Sequence, residues 1–451
     1  MNKTHSIITA TITYCCFWFL LMGCNSVFAK TLYHYVVVGP DNQQIVRVIV
    51  DNQTCPTLFS NTNSFPMIVR AAADSPGQSK PNHAFFPVTV CELSWPADTP
   101  SLMLEGETLP HLPQKINNVA VIGDTGCRIK APFAYQACNE SKQWPLKEMS
   151  HAIINNKPDV LIHVGDYLYR ESRCVTPGCQ GSVHGYGWDS WQADVFQPMQ
   201  ELMAKVPLVL VRGNHESCHR AGEGWFRFFD PYPYDSQKAC LNPVEAVIDQ
   251  PYSVMMNSTT QWIVFDSAEI QELHPDKHIN EFIDKMDHVR QLLKPGSHHW
   301  LLLHHPSLGY FYSHMLGWNG GTSEIYNAMV KGSKESSLLK QFDLLLQGHI
   351  HTFEMSNYSD TTLPISIVSG MGGTELEDRF PHKNLMGYEV EPGVKINKEV
   401  NEQRFGYLMY TEKNNMSEFV VYDASGLIQQ SCQVNLVTKD FSCMRKSVNK
   451  K

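Results

Sequence analysis

The chain has 451 residues, 43% hydrophobic and 11% aromatic, so it can bury a large core, and its length suits two domains. A formal net charge of -9 argues against a general nucleic-acid-binding surface, which needs basic patches to neutralise phosphates. It does not exclude a small phosphate substrate, because bound metal ions invert the local field.

Residues 1–29 read as an export signal. Lys3 gives a weakly positive start, Ile7 to Met22 is mostly apolar, and Val27-Phe28-Ala29 offers a small-residue cleavage site before Lys30. Two other readings stand beside this one. Leu21-Met22-Gly23-Cys24 resembles a bacterial lipobox, which would place a lipid on Cys24, and the same run could remain as an uncleaved anchor. No later stretch is long and apolar enough to span a bilayer. The expected destination is periplasmic or secreted. Ten cysteines follow the signal: Cys55, Cys91, Cys127, Cys138, Cys174, Cys179, Cys218, Cys240, Cys432 and Cys443. An even number in an exported chain suggests disulfides. Nearest-neighbour pairing in that order would close only short or moderate loops.

Residues 30–115 read as a small β domain. Tyr33 to Val38 and Ile45 to Val50 are rich in β-branched and aromatic residues, with the turn signal Gly39-Pro40-Asp41-Asn42 between them, and Ala84 to Leu93 suggests a further strand. From residue 116 to the end, short apolar runs alternate with helix candidates. The runs are Val119 to Ile122, Val160 to Val164, Leu208 to Val211, Trp262 to Phe265, Trp300 to Leu303 and Leu344 to Leu346. The clearest helix is Ile279 to Leu293, whose apolar residues fall on one face. Phe405 to Tyr410 and Phe419 to Tyr422 read as strands again. This alternation predicts a layered α/β architecture, with ligands at the carboxyl ends of the strands.

Five of these runs end in residues that bind metals. They are Gly123-Asp124-Thr125-Gly126, Gly165-Asp166-Tyr167-Leu168-Tyr169, Gly213-Asn214-His215-Glu216, Leu301-Leu302-Leu303-His304 and Gly348-His349-Ile350-His351. Gly123 and Gly126 are expected to let the chain turn tightly around Asp124. His349 and His351, at alternate positions, would share one face of an extended segment. A single Gly-Asp turn after a strand is common and structural. The five motifs together supply two Asp, one Tyr, one Asn and three His, enough ligands for a two-metal hydrolytic site.

The set resembles the metallophosphoesterases, the calcineurin-like phosphoesterase superfamily, and within it most resembles the purple acid phosphatases. That subfamily has Asp-x-Gly at the first motif, where most relatives have Asp-x-His, and a Tyr three residues after the second Asp. Gly126 and Tyr169 reproduce this paired departure. The resemblance implies a sandwich of two mixed sheets flanked by helices, and two metal ions. One would take Asp124, Asp166, Tyr169 and His351; the other Asp166, Asn214, His304 and His349, with Asp166 bridging. Hard phenolate and carboxylate donors suit Fe(III), and the second set suits divalent Zn, Fe or Mn. His304 is the implied ligand and His305 its neighbour. His215 is implied at the phosphate or leaving group, with His314 as a further histidine of that kind or else a surface residue. Glu216 is expected to orient His215 or its loop. Cys127 and Cys218 adjoin the metal loops, where disulfides would hold them in place.

The implied reaction is hydrolysis of phosphate monoesters, acid phosphatase-like, with metal-bound hydroxide attacking phosphorus in line. The partner is a small phosphoester, no transmembrane span remains in the mature chain, and the sequence carries no signal of oligomeric state. Two rivals stand: an exported phosphodiesterase acting on nucleotides or lipid headgroups at the same site, and a binding or adhesion protein with a vestigial metal site.

Overall fold

The apolar runs pair into two large mixed sheets. The structure is a computed structural model that describes residues 30–446, apart from 78–83, 237–238, 242–244, 271–276, 316, 322, 332–336, 379, 382–383 and 414–415. The export signal and Cys24 lie outside the described residues.

The first sheet has 11 strands. Its middle is parallel: Asn118–Ile122, Val160–His163, Leu208–Leu210 and Thr31–Val38 run side by side. The second sheet has eight strands, and Thr260–Val264, His298–Leu302, Leu344–Gln347 and Ile365–Ser369 form its parallel middle. Buried strands of this kind read as continuous apolar runs because both faces are covered.

Alternation along each strand builds the layers. Val119, Val121, Ile162 and Val209 point into one shared core with Trp262, Trp300, Leu302, Leu346 and Ile367 of the other sheet. On the outer face of the first sheet, Ala120, Ile122, Leu161 and Leu208 meet Met149 and Ile153 of helix Leu146–Asn155 and Met199 and Leu202 of helix Gln197–Lys205. On the outer face of the second, Ile263, Leu301 and Leu345 meet Phe282, Met286 and Val289 of helix Ile279–Leu292 and Ile325 of helix Ser323–Lys331. The result is a helix–sheet–sheet–helix sandwich. The two facing sheets bring the carboxyl ends of their parallel strands to a common edge.

Residues 30–115 contribute to this same sheet. Thr31–Val38 pairs in parallel with Leu208–Leu210 and, around a turn in which Asp41 and Asn42 take φ of 54° and 62°, antiparallel with Gln44–Val50. Strands Thr89–Ser94 and Ile68–Ala71 continue it to the edge. Tyr33, Tyr35 and Val37 sit in the core that holds Leu161 and Leu208, so the boundary expected near residue 115 falls within one sheet and one core. A second, local core forms from Val36, Val46, Val48 and Leu58 beneath a four-stranded sheet built from residues 57–108. At the opposite end, Gly406–Lys413 pairs antiparallel with Asn118–Ile122 and starts a meander that ends at Asp440–Arg445.

The ten cysteines form Cys55–Cys91, Cys127–Cys138, Cys174–Cys179, Cys218–Cys240 and Cys432–Cys443. This is the nearest-neighbour order. Five disulfides fit an oxidising, extracytoplasmic environment. Among the described residues no helix is long and apolar enough to cross a membrane.

Candidate metal centre

Asp124 follows strand Asn118–Ile122, Asp166 follows Val160–His163, Asn214 follows Leu208–Leu210, His304 follows His298–Leu302, and His349 and His351 follow Leu344–Gln347. Three of the expected ligands adopt the left-handed backbone region: φ is 56° at Asp124, 57° at Asp166 and 70° at His349. That conformation is costly for a residue with a side chain and persists only where the surroundings enforce it. It also corrects the expectation for the first motif. Asp124 makes the turn itself, whereas Gly126 is needed for room, since a Cβ there would lie 2.6 Å from the Tyr167 carbonyl oxygen. At Gly348 a Cβ would lie 2.7 Å from Asp124 Oδ2, so this loop can approach the carboxylate only without a side chain.

Tyr169 Oη lies 2.9 Å from Asp124 Oδ1, 2.8 Å from Asp166 Oδ2 and 3.1 Å from His351 Nε2. On the other side of Asp166, His304 Nε2 stands 3.2 Å from Asp166 Oδ2 and 3.0 Å from Asn214 Oδ1, which is 3.2 Å from His349 Nδ1. Asp166 Oδ2 belongs to both groups. The two imidazoles are aimed by their other nitrogens: His304 Nδ1 donates to the Val164 carbonyl at 2.8 Å and His351 Nδ1 to that of Glu375 at 2.7 Å. Each leaves its Nε2 lone pair facing the centre.

These residues fit metal ions on the chemistry of the donor set. Neighbouring ligand atoms of an octahedral ion with bonds of about 2.1 Å stand about 3 Å apart, which is the spacing found in both groups. Asn214 makes the same point. With Oδ1 inward it faces only acceptors; turned over, its amide nitrogen would donate to His304, His349 and Asp166, and its oxygen would accept from Arg220 Nη1 at 3.0 Å. A cation at this position would favour the inward oxygen. Burial, reinforced by Asp166, pushes Asp124 well above the ordinary carboxylate range, whereas His304 and His215 outweigh burial and hold Asp166 well below it. Two buried carboxylates this close cannot both ionise cheaply unless a positive charge stands beside them.

His305, beside His304, points its Nδ1 at Ser267 Oγ, 3.0 Å away, with its ring centroid 4.5 Å from that of His349. His215 is buried against Tyr169, with ring centroids 3.8 Å apart, and its Nδ1 donates to the Leu168 carbonyl at 3.0 Å. Its Nε2 accepts from Arg220 Nη2 at 3.1 Å, and burial together with Arg220 depresses its pKa well below the usual imidazole value. Both ring nitrogens are thus engaged by fixed partners. The structure does not bring His314 to this site. It lies at the turn of the hairpin Tyr310–Ser313/Gly317–Gly320, 71% exposed, with Nε2 3.8 Å from Asp378 Oδ1.

Supporting residues that the sequence reading missed tie the loops together. Buried Asp194, in a π-helical turn at Gln192–Phe196, accepts the Tyr169 N–H at 3.0 Å and the Cys127 N–H at 3.2 Å and pairs with Arg170. It joins the first two metal loops. Its local sequence has no signal of this, although a π-helical turn often marks a functional position.

Glu216 is the hub of the Asp166 loop. Its carboxylate accepts the N–H groups of Asp166 (3.1 Å), Tyr167 (2.9 Å), Leu168 (3.1 Å) and Gly213 (3.3 Å). Burial, with repulsion from Asp166, pushes its pKa up to about 8, while these donors pull the other way. Every hydrogen-bond partner named is a donor, so the loop is arranged around the anion. Glu216→Gln would turn an amide NH₂ toward those donors. We expect a loss of about 2–3 kcal/mol in stability and a ~10–100-fold loss in metal affinity, read by thermal unfolding and metal titration. Wild-type metal affinity in this variant would contradict the role given to Glu216.

A two-sheet sandwich with carboxylate, amide, phenol and imidazole side chains on its carboxyl-end loops is the arrangement expected of a metallophosphoesterase. The family model for calcineurin-like phosphoesterase matches residues 118–353, just over half of the chain, and the chain belongs to that family. Purple acid phosphatase 15 of Arabidopsis thaliana is 24% identical over 300 residues, covering 61% of this chain and 48% of its own length. The chain therefore spans about half of that relative. Among solved structures, that of PhoD aligns over 94% of both chains with a TM-score of 0.55 and 10% identity, a likeness of fold.

Proposed function

We propose that the chain is a two-metal hydrolase of phosphate monoesters, of the purple acid phosphatase type. The observation that carries the reading is the position of Tyr169 Oη, about equally spaced from Asp124, Asp166 and His351. In this assignment Asp124, Asp166, Tyr169 and His351 hold a ferric ion, and Asp166, Asn214, His304 and His349 hold a divalent Zn, Fe or Mn. Bound there, the ions supply an acidified water and positive charge for the phosphoryl oxygens.

The chain's own residues do the rest. Asp166 keeps the two ligand groups in register through its shared Oδ2. His215, fixed by the Leu168 carbonyl and packed against Tyr169, accepts from Arg220 through Nε2 and so positions the guanidinium, whose remaining N–H groups offer hydrogen bonds to the ester oxygen. Arg220 is in turn ion-paired with Glu171, which also lies 3.3 Å from His215 Nδ1.

The diesterase alternative keeps these residues and differs only in substrate. Metal content and relative turnover separate the readings. We expect two metal ions per chain, and kcat/KM for a simple aryl phosphate at least ~10-fold above that for the matching diester, a difference of about 1.4 kcal/mol in transition-state binding. The reverse ratio would establish the diesterase. A metal-replete chain inactive on both esters would favour a binding protein.

A further inference from the structure

The cavity over the metal residues is larger than a phosphoryl group needs. Its volume is about 1040 Å³, at the upper end of pockets that enclose whole organic ligands. Part of its lining is apolar, from Ile270, Pro306 and Phe311, and part is cationic, from Arg128, Lys130 and Arg220.

The cations are not evenly neutralised. Glu171 ion-pairs with Arg220 and lies 4.0 Å from Lys130 Nζ, so one carboxylate serves two cations. Glu269, also in the lining, is committed to Arg212. Among the described residues the Arg128 guanidinium makes no hydrogen bond or ion pair. Glu377, 3.9 Å from His351 Nδ1, also lines the cavity.

The segment that carries Arg128 and Lys130 is also held firmly. It forms the short hairpin Ile129–Lys130/Ala134–Tyr135, closed by the Cys127–Cys138 disulfide. The Arg128 N–H donates to Gln136 Oε1 at 2.8 Å, which also accepts the Glu375 N–H at 3.1 Å. Gln136 Nε2 donates to the carbonyls of Gly373 (2.8 Å) and Gln143 (2.7 Å). Because the Glu375 carbonyl also anchors His351, the hairpin and a metal ligand share one hydrogen-bond network. A guanidinium without a carboxylate partner, on a braced backbone at the wall of a ligand-sized cavity, is arranged to receive an anion.

We propose that Arg128 and Lys130 bind a second anionic group on the substrate, so that the preferred substrate is a phosphate ester whose leaving group carries another phosphate or a carboxylate. This rests on the hydrolase reading above and adds the substrate class to it.

Three esters of a three-carbon chain test it: each has a phosphate at one end and a hydroxyl, a carboxylate or a second phosphate at the other. At low ionic strength the wild-type kcat/KM should be ~10-fold or more higher for the two anionic esters than for the hydroxyl ester. The ratio between those two tells phosphate from carboxylate. In Arg128→Met/Lys130→Met, with metal content and thermal midpoint unchanged, the anionic esters should lose ~10-fold or more, chiefly in KM, while the hydroxyl ester stays within about twofold. Equal losses on all three esters, or no wild-type preference, would overturn the proposal. If the wild type hydrolyses none of the three, the hydrolase reading fails. The anion site is then decided by binding: tighter binding of 3-phosphonopropanoate than of propylphosphonate, abolished in the double variant, supports it, and equal binding overturns it.

Discussion

Asp166→Asn should empty both metal positions and remove activity together. Asp166 Oδ2 lies in both ligand groups, 2.8 Å from Tyr169 Oη and 3.2 Å from His304 Nε2, and Asp166 Oδ1 accepts the His215 N–H at 2.8 Å. The substitution keeps the shape and removes the one anion both ions would share. Breaking a buried charge pair by neutralising one partner costs about 3–5 kcal/mol, so kcat/KM should fall by at least ~10²–10⁴-fold. Metal analysis of the purified variant should show fewer ions per chain than the wild type. An Asp166→Asn protein with full metal content and wild-type turnover would remove the basis of the two-metal reading.

Tyr169→Phe should bleach the protein. Burial, followed by the charges of Asp124 and Asp166, pushes the Tyr169 phenol well above its ordinary pKa. Such a phenol gives up its proton only to a strongly charged cation placed directly against its oxygen. A phenolate on ferric iron absorbs broadly in the visible region, so the loaded wild type should be violet and Tyr169→Phe colourless. The effect is nearly all or none. If the loaded, active wild type is itself colourless, Tyr169 is not a ferric ligand, and a metallophosphoesterase centre with other metals replaces the assignment. The two experiments are independent: the first tests the bridging carboxylate, the second the identity of one ion.

Much of this fold was legible because buried parallel strands must be apolar throughout. Val160–His163, Leu208–Leu210 and Leu344–Gln347 stood out as short runs bounded by Gly, and helix Ile279–Leu292 showed its period because only one face meets the sheet. The nearest-neighbour cysteine pairs were equally accessible, since each closes a short or moderate loop. The segment 30–115 was harder. Thr31–Val38 joins the main sheet by pairing with Leu208–Leu210, about 170 residues away, and no local pattern encodes a partner that distant.

The same division runs through the site. Residue types and their order after the strands named a set of metal-binding groups, because such ligands must follow strands and be flanked by small residues. Which atoms meet was decided by the sandwich. The two sheets place Tyr169 between two carboxylates, turn His304 inward and His305 toward Ser267, and leave His314 on a hairpin at the surface. Other supports were invisible for the same reason. Asp194, Gln136 and Arg128 act through backbone amides and cavity walls contributed by other loops. Spacing along a chain records what one turn can bring together, whereas the charge balance of a cavity exists only once separate strands have packed.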